Sequence, residues 1–88
     1  MFVPNAFTPN QDKKNETFMA VTRGVTDYHL SVFNRWNELL FETTDPNVGW
    51  DGTFKSNMCK QDVYLWQLKV TSANGTKYNY QGKVLLIQ

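Results

Sequence analysis

Val63-Tyr64-Leu65-Trp66-Gln67-Leu68-Lys69-Val70, then Asn74-Gly75, then Tyr78-Asn79-Tyr80-Gln81-Gly82-Lys83-Val84-Leu85-Leu86: this stretch decides the fold. Tyr64, Trp66, Leu68 and Val70 alternate with Leu65, Gln67 and Lys69. Tyr78, Tyr80, Val84 and Leu86 share one phase around Gly82, with Asn79, Gln81 and Lys83 in the other. A period of two with one apolar face is the pattern of a half-buried antiparallel strand. Asn-Gly between two such runs is the strongest short-range hairpin signal in the chain.

Working outward, Tyr28, Leu30 and Val32 alternate with His29 and Ser31 and predict a third strand. Weaker strands are expected over 17–22, around Phe18 and Val21, and over 38–43, around Leu40 and Phe41. Phe2-Val3 reads as a short edge strand ended by Pro4, since proline cannot donate to a ladder. Turn signals lie at 9–15, at Arg23-Gly24, and at Asp45-Pro46-Asn47 with Gly49. The nearest thing to a helix, 35–41, is too short and lacks a cap. Six or seven short strands with regular turns imply an all-β antiparallel β-sandwich over residues 1–88 as a single domain. Its core should hold Phe18, Tyr28, Leu30, Val32, Phe41, Tyr64, Trp66, Leu68, Tyr80, Val84 and Leu86, which share phase on their strands.

Six Phe, four Tyr and three Trp make the chain 15% aromatic, and this helps an 88-residue domain whose core is small. The net charge of +1, with scattered basic residues, gives no field to attract nucleic acid. No apolar run is long enough to span a bilayer as a helix. The single cysteine, Cys59, cannot form an internal disulfide and is read as an idle thiol. Met1 stands directly before strand-like residues, and the last apolar run reaches Gln88. The chain therefore reads as a terminal module cut from a larger protein. It is expected to be a monomer in isolation.

No constellation carries catalysis, and the domain is expected not to be an enzyme. The one histidine, His29, lies on the polar phase of its strand with no base–nucleophile partner placed by sequence. One histidine and one cysteine cannot close a zinc site. Asn10, Asp12, Asn15 and Glu16 offer a calcium-like set of oxygens, but Lys13-Lys14 sits among them and no glycine supplies the bend. The preferred reading is a turn, with no metal and no cofactor. Trp50, in a turn with Asp51 and Gly52, is read first as a plug for one end of the sandwich and second as an exposed contact. Trp66, mid-strand, should then matter more for stability than Trp50. Arg35 is open between stacking on an aromatic, bonding carbonyls and facing a partner with Trp36. Asn15-Glu16-Thr17 and Asn74-Gly75-Thr76 match the glycosylation acceptor pattern, a short pattern common by chance.

Read in order, 2–10 (FVPNAFTPN), 28–36 (YHLSVFNRW), 49–53 (GWDGT), 63–66 (VYLW) and 82–87 (GKVLLI) form a series. This series resembles the gliding-motility-associated C-terminal domain of Bacteroidetes proteins, the type B sorting domain of the type IX secretion system. The resemblance covers nearly the whole chain. It implies an immunoglobulin-like sandwich that acts as a non-catalytic export address, read by the outer-membrane type IX machinery. The cargo would be the N-terminal part of the same polypeptide, delivered through the periplasm and outer membrane to the medium or cell surface. The sequence departs from the family pattern in places. The usual glycine-rich acidic run reads Asn10 to Glu16 without glycine, Asn37 replaces the glycine after Arg35-Trp36, and Ser56 and Asp62 stand near two further usual glycines. Asn37 can still adopt a left-handed conformation.

A folded address is read as a surface, and exposed loop and edge side chains are expected to carry it. The candidates are Arg35, Trp36, Trp50, Asp51, Gly52, Lys83 and Gln88, with the opening loop next. The alternative is an immunoglobulin-like adhesive or calcium-dependent binding module of a surface protein.

Overall fold

The computed structural model describes residues 3–8 and 17–87. Among them are seven strands and no helix: β1 (Ala6–Phe7), β2 (Val25–Phe33), β3 (Leu39–Thr43), β4 (Thr53–Phe54), β5 (Asn57–Met58), β6 (Asp62–Ser72) and β7 (Lys77–Leu86). Five form one sheet in the order β1-β7-β6-β2-β3, and β4 and β5 pair separately.

The alternation sets the register. Tyr64, Trp66, Leu68 and Val70 of β6 lie opposite Val84, Gly82, Tyr80 and Tyr78 of β7. On the other side Val70, Leu68 and Trp66 meet Tyr28, Leu30 and Val32 of β2. A slip of one residue would turn every one of these to the opposite face. Leu30, Val32, Leu68, Val84 and Leu86 are all fully buried. The β6–β7 hairpin turns at the Asn-Gly pair. The Ser72 N–H donates to the Thr76 carbonyl at 2.8 Å, and Gly75 has φ +87°. Asn74 is not left-handed, so this is a longer loop with one left-handed glycine rather than a two-residue Asn-Gly turn.

The layer over the sheet is mostly loop. Phe18 and Trp50 exchange backbone hydrogen bonds of 2.7 and 2.9 Å. Ring contacts close it down: Trp50 lies 5.1 Å from Tyr64 and 5.4 Å from Phe7, and Phe18 lies 6.3 Å from Trp66. The expected strand over 17–22 is thus reduced to isolated bridge positions at Phe18 and Val21, with aromatic packing rather than a ladder around Phe18.

Other expectations are corrected. The first strand is Ala6–Phe7, after Pro4 rather than before it; Val3 lies outside any strand and Phe2 outside the described residues. β1 pairs with β7 in parallel, Ala6 opposite Leu85 and Phe7 opposite Leu86, so the sheet is mixed rather than wholly antiparallel. Tyr80 is on the inner face yet 38% exposed, stacked on Tyr78. The rings of Phe18 and Trp50 cover the Tyr64–Trp66 end and do not reach it. Phe41, on the edge strand β3, is only half-buried against the core.

Candidate functional site

The turn between β2 and β3 is built by one side chain. Asn34 Oδ1 accepts the N–H groups of Trp36 and Glu38, each at 2.9 Å. Its Nδ2 donates to the Glu38 carboxylate at 2.9 Å. The Asn34 N–H donates to the Glu38 carbonyl at 3.1 Å, and the Asn37 N–H to the Asn34 carbonyl at 3.0 Å. Asn37 closes the loop with φ +63°, the left-handed conformation expected for it. These bonds occupy the backbone and leave Arg35 and Trp36 at the tip, where Trp36 is 70% exposed.

Neighbouring groups hold the tip. The Arg35 guanidinium donates to the Asp62 carboxylate at the start of β6 and lies 5.3 Å from the Trp36 ring centre. The Lys60 ammonium lies 6.0 Å from the same ring. Cations over an indole are attracted by its electron-rich face. The Arg35 hydrogen bond, aided by the Val63 N–H, holds the Asp62 carboxyl below its ordinary range. Arg35 thus combines two of the roles open from sequence: it stacks on an aromatic and remains exposed to a partner, while its hydrogen bond goes to a carboxylate.

Lys83 lies opposite Leu65 on the sheet's outer face. It lines a groove of about 500 Å³ with Phe33, Asn37, Leu65, Gln67 and Gln81. The structure therefore brings Asn37 of the turn together with Lys83 at this groove.

The Trp50-Asp51-Gly52 turn is elsewhere. Trp50 is fully buried and its Nε1 donates to the Thr53 carbonyl at 3.0 Å, so the indole is a plug and cannot meet a partner as a surface contact. Gly52 is buried with φ +85°. Asp51 is exposed, but its carboxylate caps the turn through the Thr53 N–H at 3.0 Å and hydroxyl at 2.6 Å. Gln88, Asn10, Asp12, Asn15 and Glu16 lie outside the described residues.

Sequence reasoning missed Lys60 and Asp62, which reach the turn only through the fold. It also missed that Val63, Leu65 and Leu85 make part of the outer face apolar. The unbroken run Val84-Leu85-Leu86-Ile87 carried that signal, since a strand apolar in both phases has two apolar faces.

Among the described residues, His29, Ser31 and Glu42 do not form a relay. His29 Nε2 meets Glu42 at 3.1 Å and the Ser31 hydroxyl at 3.4 Å. A serine–histidine–carboxylate relay uses both ring nitrogens, one for each neighbour. Here one nitrogen meets both. Burial pushes the Cys59 thiol up, which keeps it protonated and a weak nucleophile. Burial also raises Tyr64, to about 12, and its hydroxyl donates to the Lys60 carbonyl at 2.7 Å. Among the described residues no three of His, Cys, Asp and Glu come together to hold a metal.

The sequence profile of the type IX secretion signal domain family (CHU_C) matches residues 1–86. The chain belongs to that family. The match runs to the last residue of β7, so the family unit is this entire sheet with its covering layer and not a short motif within it. A type IX secretion signal implies a partner in the secretion machinery and a destination in the medium or on the cell surface. No match was found among curated proteins.

Proposed function

We propose that this type IX secretion signal domain works as a folded export address. It directs the polypeptide joined ahead of it through the periplasm and across the outer membrane, by docking on the secretion machinery through exposed side chains. The observation that carries this reading, beyond family membership, is the Asn34 turn. Its hydrogen bonds commit the local backbone to presenting Arg35 and Trp36, and an indole 70% exposed on a small domain contributes little to its core. Lys83 belongs to the same surface. Asp51 and Gln88 stand as secondary candidates. The domain acts as a monomer and brings no catalysis of its own to the process.

The test is a reporter fused ahead of the domain in a host with the type IX machinery. The intact fusion should leave the cell. Arg35→Ala and Trp36→Ala fusions should be retained while their domains keep native circular dichroism. If the intact fusion stays inside the host, the export reading is wrong.

A further inference from the structure

The outer face of the five-stranded sheet is chemically divided. Register places Asn79, Lys69 and His29 in one row and Gln81, Gln67, Ser31 and Glu42 in the next. The following row is Lys83, Leu65, Phe33 and Leu39, with Leu85 and Val63 beyond it. One half of the face is polar and the other apolar. Leu39, Val63 and Leu85 are 41%, 42% and 36% exposed. The core does not account for them, since the opposite face of the same strands already forms it. Contiguous apolar side chains left in water on a small domain mark an interaction surface.

The shape and charge of this half narrow the occupant. Between Phe33, Leu65 and Lys83 the face is indented into the groove of about 500 Å³, room for one large side chain. Its other walls are Trp66, Gly82 and the amide-bearing Asn37, Gln67 and Gln81. Lys83 lines this groove, and Lys60 stands against the ring of Trp36, the chain neighbour of the groove-lining Asn37. Arg35 is exposed but shares its charge with Asp62, whereas Lys60 and Lys83 have no ion pair among the described residues.

We infer that the apolar half of the outer face is a docking surface for an extended protein segment. The segment places an aromatic or large aliphatic side chain in the groove and carboxylates against Lys60 and Lys83. This rests on the export reading, under which the segment belongs to the secretion machinery. A second copy of the chain fits less well, because a two-fold contact pairs the patch with itself, and the groove lining offers Lys83 but no carboxylate to meet it. A bilayer fits less well too, because lipid receives protruding apolar groups, whereas this surface is indented and walled by amides.

The direct test is an NMR titration of the isotope-labelled domain with acetyl-Glu-Trp-Glu-amide. Amide shifts should appear at Asn37, Leu65, Gln67 and Lys83 and saturate in the millimolar range, and Lys69 and Asn79 should not move. Acetyl-Lys-Trp-Lys-amide should bind about tenfold more weakly, and the Lys60→Glu, Lys83→Glu double variant should reverse that preference. No shifts, equal shifts with both peptides, or shifts centred on the polar half would overturn the inference. In the reporter fusion, Leu65→Gln and Lys83→Glu should each lower export about tenfold, and Lys69→Glu should leave it unchanged. Lys83→Glu keeps the test valid if Leu65→Gln fails to fold. Normal export of Lys83→Glu overturns the docking surface while the export reading stands. An intact fusion that is never exported removes the export reading, and the peptide titration still decides the groove. Co-sedimentation with phosphatidylglycerol vesicles, or a dimer abolished by Leu65→Gln, would assign the face to lipid or to self-association and overturn the proposal.

Discussion

Trp50→Ala should be the most damaging of the three tryptophan truncations, the reverse of the order suggested by strand position. Trp50 sits in a loop yet is fully buried, touches the rings of Phe7 and Tyr64, and spends its Nε1 on the Thr53 carbonyl at 3.0 Å. Truncating a buried tryptophan costs about 3–5 kcal/mol, and stranding the carbonyl adds ~1 kcal/mol. Trp66 is 9% exposed, and its Nε1 is buried without a hydrogen-bond partner among the described residues. Its removal therefore loses a similar ring but recovers ~1–3 kcal/mol of desolvation, for a net cost of about 2 kcal/mol. Trp36, 70% exposed, should cost less than ~0.5 kcal/mol. A chain of this length has roughly 5–10 kcal/mol of total stability, so Trp50→Ala should remove half of it or more. Urea denaturation followed by far-ultraviolet circular dichroism is the assay, since fluorescence would lose its own reporter. The slope should stay constant while the midpoint falls in the order Trp36, Trp66, Trp50. Trp50→Phe separates the hydrogen bond from the ring volume and should lie between wild type and Trp50→Ala. If Trp66→Ala proves as costly as Trp50→Ala, the loop layer relaxes around its gap and the sheet alone is the core.

Gly82→Ala should destabilise by about 1–3 kcal/mol, because the new Cβ would stand 2.8 Å from Trp66 Cζ2. The cost should nearly vanish in a Trp66→Leu background, and a thermal melt showing no loss in the wild-type background would mean the indole slides freely. The β4–β5 turn holds Lys55 at φ +52° and Ser56 at φ +69°, so the Lys55→Asn, Ser56→Gly pair should raise the urea midpoint, by about 1 kcal/mol of relieved strain. A lower midpoint would contradict the left-handed turn. Asp62 should titrate by NMR below the usual value of ~3.9 and move upward in Arg35→Ala. The sign follows from its lowered folded value: the Arg35–Asp62 contact is complete above the unfolded value and is lost as pH falls through the folded one. An unshifted Asp62 in the wild type would show the pair to be open in solution.

The sheet was legible wherever alternation was clean. β2, β6 and β7 and the Asn74-Gly75 hairpin follow from the phase of Tyr64, Trp66, Leu68 and Val70 and a left-handed glycine. The covering layer was not legible, because Phe18 and Trp50 are fixed by ring contacts between distant segments, and no local period encodes such contacts. The same cause hid β4–β5, two residues each around a turn with no glycine. Tyr80 was misplaced because shared phase gives the face of a strand but not how far the opposing layer extends. At the surface, Arg35 and Trp36 were visible as a motif. Their neighbours Lys60 and Asp62 were not, being 24 and 27 positions along the chain from Trp36 and Arg35 and brought to the turn by the β2–β6 pairing.

These two kinds of legibility follow from how the molecule divides its labour between the faces of one sheet. The inner face of β2, β6 and β7 must match in phase to exclude water, so its pattern is strict and survives in the sequence as alternation. The outer face has no opposing layer among the described residues and is free to carry information unrelated to folding. Leu65 and Leu85 sit there beside Gln67 and Lys83 without breaking the inner phase. A signal that must be recognised while folded benefits from this separation, since outer-face changes leave the core packing untouched. Asn34 links the two faces: it closes the hairpin that pairs β2 with β3, and the same hydrogen bonds aim Arg35 and Trp36 outward. Presentation of this turn is therefore conditional on the strands having paired, so an unfolded chain with the same residues would not present the same surface.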